Sequence, residues 1–449
     1  MRRIVIMGAG GRDFHDFNTV FREDDSVEVV AFTAAQIPGI DDRTYPPSLA
    51  GARYAEGIPI RPESELAEIV RAEGVETVYL SYSDLSHEEV MHKASRVLAA
   101  GADFGLLGPQ ATMLEATLPV IAVTAVRTGC GKSPTSRRIG SLLRAAGHRV
   151  GLVRHPMPYG DLEAMRVQRF ASLEDVDRAR PTIEEREEYE EHVALGMTVY
   201  AGVDYAAVLE LAQSECDVLV WDGGNNDLPF FRPDLHVVVV DPLRAGDEVG
   251  YHPGEANLLR ADVVVVNKVD SAASEQVREV LRSVASANPF ATIVTALSHV
   301  TLEAGPSLAG KRVLVVEDGP TLTHGGMEYG AGSVAARQEG AAELVDPRPF
   351  AQGSIATVFA SYPHLGRVLP AMGYSAQMLL DLEATIEAAK ADVVVAGTPI
   401  DLARLLETSS PIRRARYELR EVGRPTLADA LAPILRLLQR PAALGTGVR

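Results

Sequence analysis

Lys132 and Ser133 close the run Arg127-Thr-Gly-Cys-Gly-Lys-Ser133, which directly follows the apolar stretch Val120–Val126. A strand that hands over to a helix through such a glycine-rich turn aims backbone N–H groups and a helix N-terminus at one spot. That spot favours phosphate oxygens. Lys132 would bring positive charge to the β- and γ-phosphates of a nucleotide, and Ser133 a hydroxyl for Mg2+. Thr128, Gly129, Cys130, Gly131 and Pro134 complete the expected nucleotide-binding set. Pro134 suits a first helical turn, where its missing N–H costs nothing. A chance glycine-rich turn is the alternative. One position departs from the common pattern: Val126 stands where a glycine is expected.

Three further constellations carry chemistry. Cys216–Trp221 is an apolar run closed by Asp222-Gly-Gly-Asn225-Asn226-Asp227. Asp222 fits a carboxylate that reaches Mg2+, directly or through water; the alternative is a strand followed by an ordinary polar turn. Asn267-Lys-Val-Asp270 follows the run Val263–Val266. In such a box the Asp carboxylate accepts from the ring and exocyclic N–H groups of guanine, while Lys268 lies along the base and Asn267 ties down the phosphate loop. Ala296, in Thr295-Ala-Leu297, is expected in a loop backing the base. Guanine is the first expectation and adenine the second, so the cofactors are Mg2+ with GTP or ATP. Arg154 and His155 follow another strand, where an open α/β sheet lines its ligand crevice. They are read as a clamp for a phosphate or carboxylate and as an acid or base, or else as part of a surface loop.

The elements that must position these groups alternate between short apolar runs and helical patterns, the mark of a mostly parallel sheet. Runs at 3–8, 27–33 and 76–81, with helices at 63–73 and 86–100, predict a Rossmann-like α/β domain over residues 1–116. Its Gly8-Ala-Gly10-Gly11-Arg12-Asp13 turn is a tight turn or an anion-binding loop, with Gly10, Gly11 and Arg12 as substrate contacts; hydride transfer with a dinucleotide is a weaker reading. Residues 117–310 form the nucleotide-binding core and 311–449 a C-terminal extension expected to continue its sheet. The acidic stretch 182–195 (Glu184, Glu185, Glu187, Glu188, Glu190, Glu191) reads as a solvated helix face. Thr323-His324-Gly-Gly-Met-Glu-Tyr-Gly-Ala-Gly332 reads as an anion-binding loop or as a linker.

Composition sets the outer limits. A formal net charge of −18 argues against nonspecific nucleic-acid binding. Two cysteines, Cys130 and Cys216, argue for a reducing cytoplasm rather than a disulfide scaffold. Cys130 is a space-filling residue or, less simply, an oxidisable thiol. No apolar stretch is long enough to predict a membrane span, and a homodimer is expected. Of the five lysines, two fall in the nucleotide motifs.

Arg127 with Gly129 resembles the loop variant of the simple GTPase and ATPase group of nitrogenase-iron-protein-like and dethiobiotin-synthetase-like enzymes. Taken with Gly8–Phe14, Gln36–Ile40, Arg154–Gly160, Asp222–Asp227, Asn267–Asp270 and Thr323–Gly332, the chain resembles the cyclic 2,3-diphosphoglycerate synthetase-like proteins, also called predicted GTPases. The resemblance implies a Mg-dependent phosphoryl-transfer enzyme. It would activate a small anionic substrate, with Lys132, Asp222, Arg127, Arg154 and His155 in catalysis and Asn225, Asn226 and His324 near the substrate. Arg127 would act in its own site or across a dimer interface. A regulatory or metallochaperone-type GTPase, and a transferase with a vestigial phosphate loop, are the alternatives.

Overall fold

The structure, a computed structural model, describes residues 1–35, 43–154, 160–181, 183–224, 227–323, 325–371, 376–399 and 401–439. The first unit is built from β1 (Arg2–Met7), β2 (Val27–Ala34), β3 (Thr44–Tyr45), β4 (Ile58–Pro62), β5 (Thr77–Leu80), β6 (Leu85–Ser86) and β7 (Asp103–Leu106). Its sheet runs β3-β4-β2-β1-β5-β7, parallel except for β3. Aromatic side chains fill one face, with Phe14, Phe17, Phe32 and Tyr45 in mutual contact.

The second sheet takes β8 (Val120–Ala125), β9 (Val150–Arg154), β10 (Gln168–Phe170), β11 (Thr198–Ala201), β12 (Val218–Trp221) and β13 (Leu235–Val240). After the short β14 (Tyr251–His252) come β15 (Val263–Val266), β16 (Thr292–Leu302), β17 (Arg312–Asp318), β18 (Glu343–Leu344), β19 (Leu369–Ala371), β20 (Val393–Gly397) and β21 (Ile412–Glu421). Among the described residues, one sheet of thirteen strands runs β10-β11-β9-β12-β8-β13-β15-β16-β21-β20-β17-β18, with β19 also beside β17. The central strands are unbroken β-branched runs because helices cover both faces; Val237–Val240 and Val263–Val266 are fully buried. The fold is thus mixed α/β with mostly parallel sheets.

Two junctions decide where the site lies. β16 pairs antiparallel with β21, from Ala296 with Glu421 to Leu302 with Ala415, and β21 pairs parallel with β20. The strands after residue 311 therefore share a sheet with the phosphate-loop strands, and a second set of strand C-termini faces the loop. The first unit is joined through β6 and β14, where Tyr251 pairs with Ser86 and His252 with Leu85.

β16 also corrects one expectation. Ala296 is not in a loop: the strand continues to Leu302, and Ala296 is buried with its carbonyl accepting from the Val269 N–H. The antiparallel partner β21 supplies the hydrogen bonds that keep the chain extended there. No helix among the described residues is long and apolar enough to cross a membrane.

Candidate active site

The phosphate loop joins β8 to the helix Lys132–Ala145. Gly131 caps that helix at φ 110°, and a Cβ there would lie 2.2 Å from Asn267 Nδ2. Only glycine satisfies both constraints. Asn267 Nδ2 donates to the Cys130 carbonyl at 2.9 Å, and Lys268 Nζ donates to the Gly129 carbonyl at 2.7 Å. The Asn-Lys box therefore grips the loop at two carbonyls. Lys268 Nζ also reaches Asp241 Oδ2 at 2.7 Å, and Arg244 meets the same oxygen at 3.2 Å. Asp270 is exposed beside this turn and is not part of the cavity wall, which reaches Ser271. Burial pushes the Cys130 thiol up to about 11, the value of an inert packing residue.

Beneath the loop lies a buried charge network. Lys132 Nζ donates to Asp222 Oδ1 at 2.5 Å. Arg154 Nη1 stands 2.7 Å from Asp222 Oδ2, an ion pair out of line for a hydrogen bond, so that oxygen and Arg154 Nε lack hydrogen-bond partners. Burial alone would raise the Asp222 carboxyl. Arg154 and Lys132, with His192, outweigh it and hold it well below the usual range. Burial and the neighbouring Arg154 depress Lys132 to about 8, against the pull of Asp222. A compact positive site with an ionised carboxylate at its base suits a triphosphate and a metal.

Among the described residues no group of three or more His, Cys, Asp and Glu converges as a metal cage. Mg2+ itself takes only one or two protein oxygens and fills its shell from phosphates and water. Ser133, on the cavity wall, and Asp222, whose Oδ2 is ion-paired with Arg154, are the groups that would hold it.

Other expected residues fall differently. Arg127 is not a mobile charge. Its Nε donates to Asp84 Oδ1 at 2.6 Å, its Nη1 to Asp247 Oδ2 at 2.5 Å, and its guanidinium lies 3.6 Å over the Tyr251 ring. Asp84 also accepts from the Thr128 N–H. Arg127 therefore fastens the phosphate loop to the first unit while also lining the cavity.

The Gly10–Gly11–Arg12 substrate contact is corrected as well. The Gly10 and Gly11 N–H groups both donate to the Asp13 carboxylate, as does that of Phe14. Arg12 is buried against Asp16, Thr112 and the Leu228 carbonyl. The place an anion would take is filled by the chain itself. His155, Asn225, Asn226 and His324 lie outside the described residues.

The acidic helix holds what the sequence reading missed. Ile183–Ala194 does not present a merely solvated face: Glu185, Tyr189, His192 and Val193 are buried. His192 Nε2 lies 3.6 Å from Asp222 Oδ2, Glu188 is ion-paired with Arg154, and Glu191 with Arg137 and Arg414. Tyr189, His192 and Val193 recur at helical spacing within the acidic run, a stripe the charges conceal.

One cavity of about 230 Å³ unites these parts. Its basic wall is Lys132, Arg137, Arg154 and Lys268; its far wall comes from the later strands, with Glu317 and Asp318 at the end of β17 and Gly397 at the end of β20. Residues 325–332 are packed, not a linker: Gly330 lines the cavity, and the Gly325 carbonyl accepts from Arg244.

A strand–loop–helix phosphate cradle, tied by an Asn-Lys box and backed by a buried Lys–Asp–Arg network, defines a P-loop nucleotide-binding enzyme. Arginine synthetase ArcE of Thermococcus kodakarensis is 55% identical over 430 residues, covering 96% of either chain. The chain belongs to the arginine synthetase ArcE family and is an NTP-dependent enzyme of the ligase type. No family model matches the sequence. Among solved structures, LpxK from Aquifex aeolicus in complex with ATP aligns at a TM-score of 0.42 and 13% identity, over 82% of this chain and 99% of its own. The hydrogenase maturation factor HypB from Archaeoglobus fulgidus aligns at 0.25 and 18%, over 40% and 81%.

Proposed function

We propose that the protein spends a nucleoside triphosphate to make arginine from an amino acid whose side chain ends in a ureido group. The observation that carries this reading is the shared cavity: the phosphate loop and the ends of β17 and β20 face one space. A triphosphate on one wall then has its γ-phosphoryl directed at an acceptor on the other.

The chemistry follows from the product. A guanidinium carbon differs from a ureido carbon by a nitrogen in place of an oxygen. That oxygen leaves readily only once phosphorylated. Lys132 and Arg154 would hold the transferred phosphoryl group, a task of positioning and charge stabilisation. Mg2+ on Ser133 and Asp222 would neutralise charge on the β- and γ-phosphates. Ammonium would supply the nitrogen, with nucleoside diphosphate and phosphate as the other products.

The test is release of nucleoside diphosphate. It should require the ureido amino acid and ammonium together, with arginine formed in equal amount. Full release with either omitted would sink the reading. Cyclisation of 2,3-bisphosphoglycerate, the reaction implied by the motif resemblance, needs the same activation. It predicts release with that acid alone. The base is read by calorimetry with GTP and ATP: Asp270→Asn should weaken GTP selectively if the box reads guanine.

A further inference from the structure

A ligase of this kind faces a proton problem that the phosphate loop does not solve. Ammonium is no nucleophile until it loses a proton, and the net reaction of a ureido group, ammonium and a triphosphate releases one proton. A base is needed near the γ-phosphoryl, on the cavity side. Among the described residues three carboxylates line the cavity: Glu188, Glu317 and Asp318. Both oxygens of Glu317 are taken, by the N–H groups of Gly330, Gly332 and Ser333. Asp318 accepts the N–H and hydroxyl of Thr321.

Glu188 differs from both. Its side chain is 31% exposed while its partner Arg154 is 2% exposed. Its carboxylate therefore stands between the buried network and the cavity. It is held there by its own helix: His192, one turn on and on the same face, is buried beside Asp222, and Tyr189 packs flat on Phe170. The groups converging at this end are Arg154 and Lys132, Asp222, His192, and Arg137, which is paired with Glu191. Arg154 is shared between Asp222 and Glu188. A γ-phosphate drawn to Arg154 would compete for the guanidinium and release the Glu188 carboxylate toward a cation.

We propose that Glu188 receives the cationic nitrogen nucleophile and takes its proton. The inference rests on the ligase reading above. In the step, the nitrogen lone pair forms a bond to the phosphorylated carbon. The bond from that carbon to the phosphate-bearing oxygen breaks, inorganic phosphate leaves, and the proton lost from ammonium passes to the Glu188 carboxylate and then to water. Geometry selects the base, since a positioned carboxylate within reach is the first requirement.

The experiment compares Glu188→Gln with the unmodified protein, using ammonium and hydroxylamine as alternative nucleophiles. Hydroxylamine is already neutral near neutral pH and needs no base. The variant should lose about 10²-fold or more in ammonium-dependent turnover. With hydroxylamine it should stay within a few-fold of the unmodified protein, and nucleotide affinity by calorimetry should be kept. Glu190→Gln, on the same helix and paired with Arg186, is the control and should change neither rate. Equal loss with both nucleophiles would reduce Glu188 to a support for Arg154 and overturn the proposal, as would no loss with ammonium. If the unmodified protein forms no product with either nucleophile, the ligase reading itself fails and the proposal falls with it.

Discussion

The chain makes the same turn twice and uses it oppositely. Gly8–Arg12 after β1 and Arg127–Ser133 after β8 are both glycine-rich turns that end a parallel strand and start a helix. In the first, the Asp13 carboxylate accepts the turn's own N–H groups, and Gly8 must be glycine because a Cβ would lie 2.6 Å from Asp13 Oδ2. In the second, no acid follows. Ser133 takes the corresponding place, with Lys132 just before it, and the turn opens on the cavity. An anion site is therefore not made by glycines and a helix start alone. It is made when the chain leaves those donors for a ligand. Glu317 repeats the closed arrangement at the start of the helix Ala331–Gln338.

The comparison breaks most sharply at Lys132. Lys132→Ala should cost about 10²–10³-fold in turnover, the usual loss when one preorganised charge on a developing anion is removed. A steady-state assay checks this, and unchanged turnover would mean a vestigial loop. The pH dependence is a second test of the open turn. Lys132 sits at about 8 in the free protein. Below that it is charged, and above it increasingly neutral. Bound triphosphate favours the charged form, so binding takes up a proton. Nucleotide affinity should hold below pH about 8 and fall roughly tenfold per unit above it, toward the ordinary lysine range. Calorimetry across pH, in two buffers of different ionisation heat, measures the proton directly.

How much of this was legible depended on what each segment buries. Val237–Val240 and Val263–Val266 announce themselves because both of their faces are covered. The phosphate loop and its Asn-Lys tie were readable because their geometry demands particular residue types at fixed spacing. β21 was not. Its sequence Ile-Arg-Arg-Ala-Arg-Tyr-Glu-Leu-Arg-Glu carries four arginines. Arg413 is nonetheless buried, bonded to the carbonyls of Glu303 and Pro306. The same disguise hid Glu188 and His192, whose partners Arg154 and Asp222 are distant in sequence. Arg12 looked like a substrate contact because nothing local shows that the Leu228 carbonyl will meet it.

Asp13→Ala would turn the closed turn into an open one. Freeing the Gly10, Gly11 and Phe14 N–H groups should cost about 1–3 kcal/mol in stability. Added phosphate or sulfate should restore part of it in the variant and do little for the unmodified protein. The sign with pH is also set. Burial raises the Asp13 carboxyl to about 6 despite its backbone hydrogen bonds. Its contribution is fully present at low pH and is lost as pH rises through that value. The gap between variant and unmodified protein should therefore narrow from pH about 4 to 6 in thermal melts.

The smallest expected effect sharpens the comparison most, because it asks what holds the open turn open. Asn267→Ala removes the 2.9 Å bond to the Cys130 carbonyl and the side chain against Gly131. One such bond is worth about 1 kcal/mol, so nucleotide affinity should fall about fivefold. The loss stays modest because Lys268 still donates to the Gly129 carbonyl, one residue upstream in the same loop. Calorimetry on the variant separates two outcomes. Weaker binding with an unchanged melting temperature means that Asn267 pre-shapes the loop for phosphate. A lower melting temperature with unchanged binding means the tie is structural, and that Gly131 and Lys268 alone set the cradle. The closed turn has no equivalent choice, since the Asp13 carboxylate that shapes it is also its occupant.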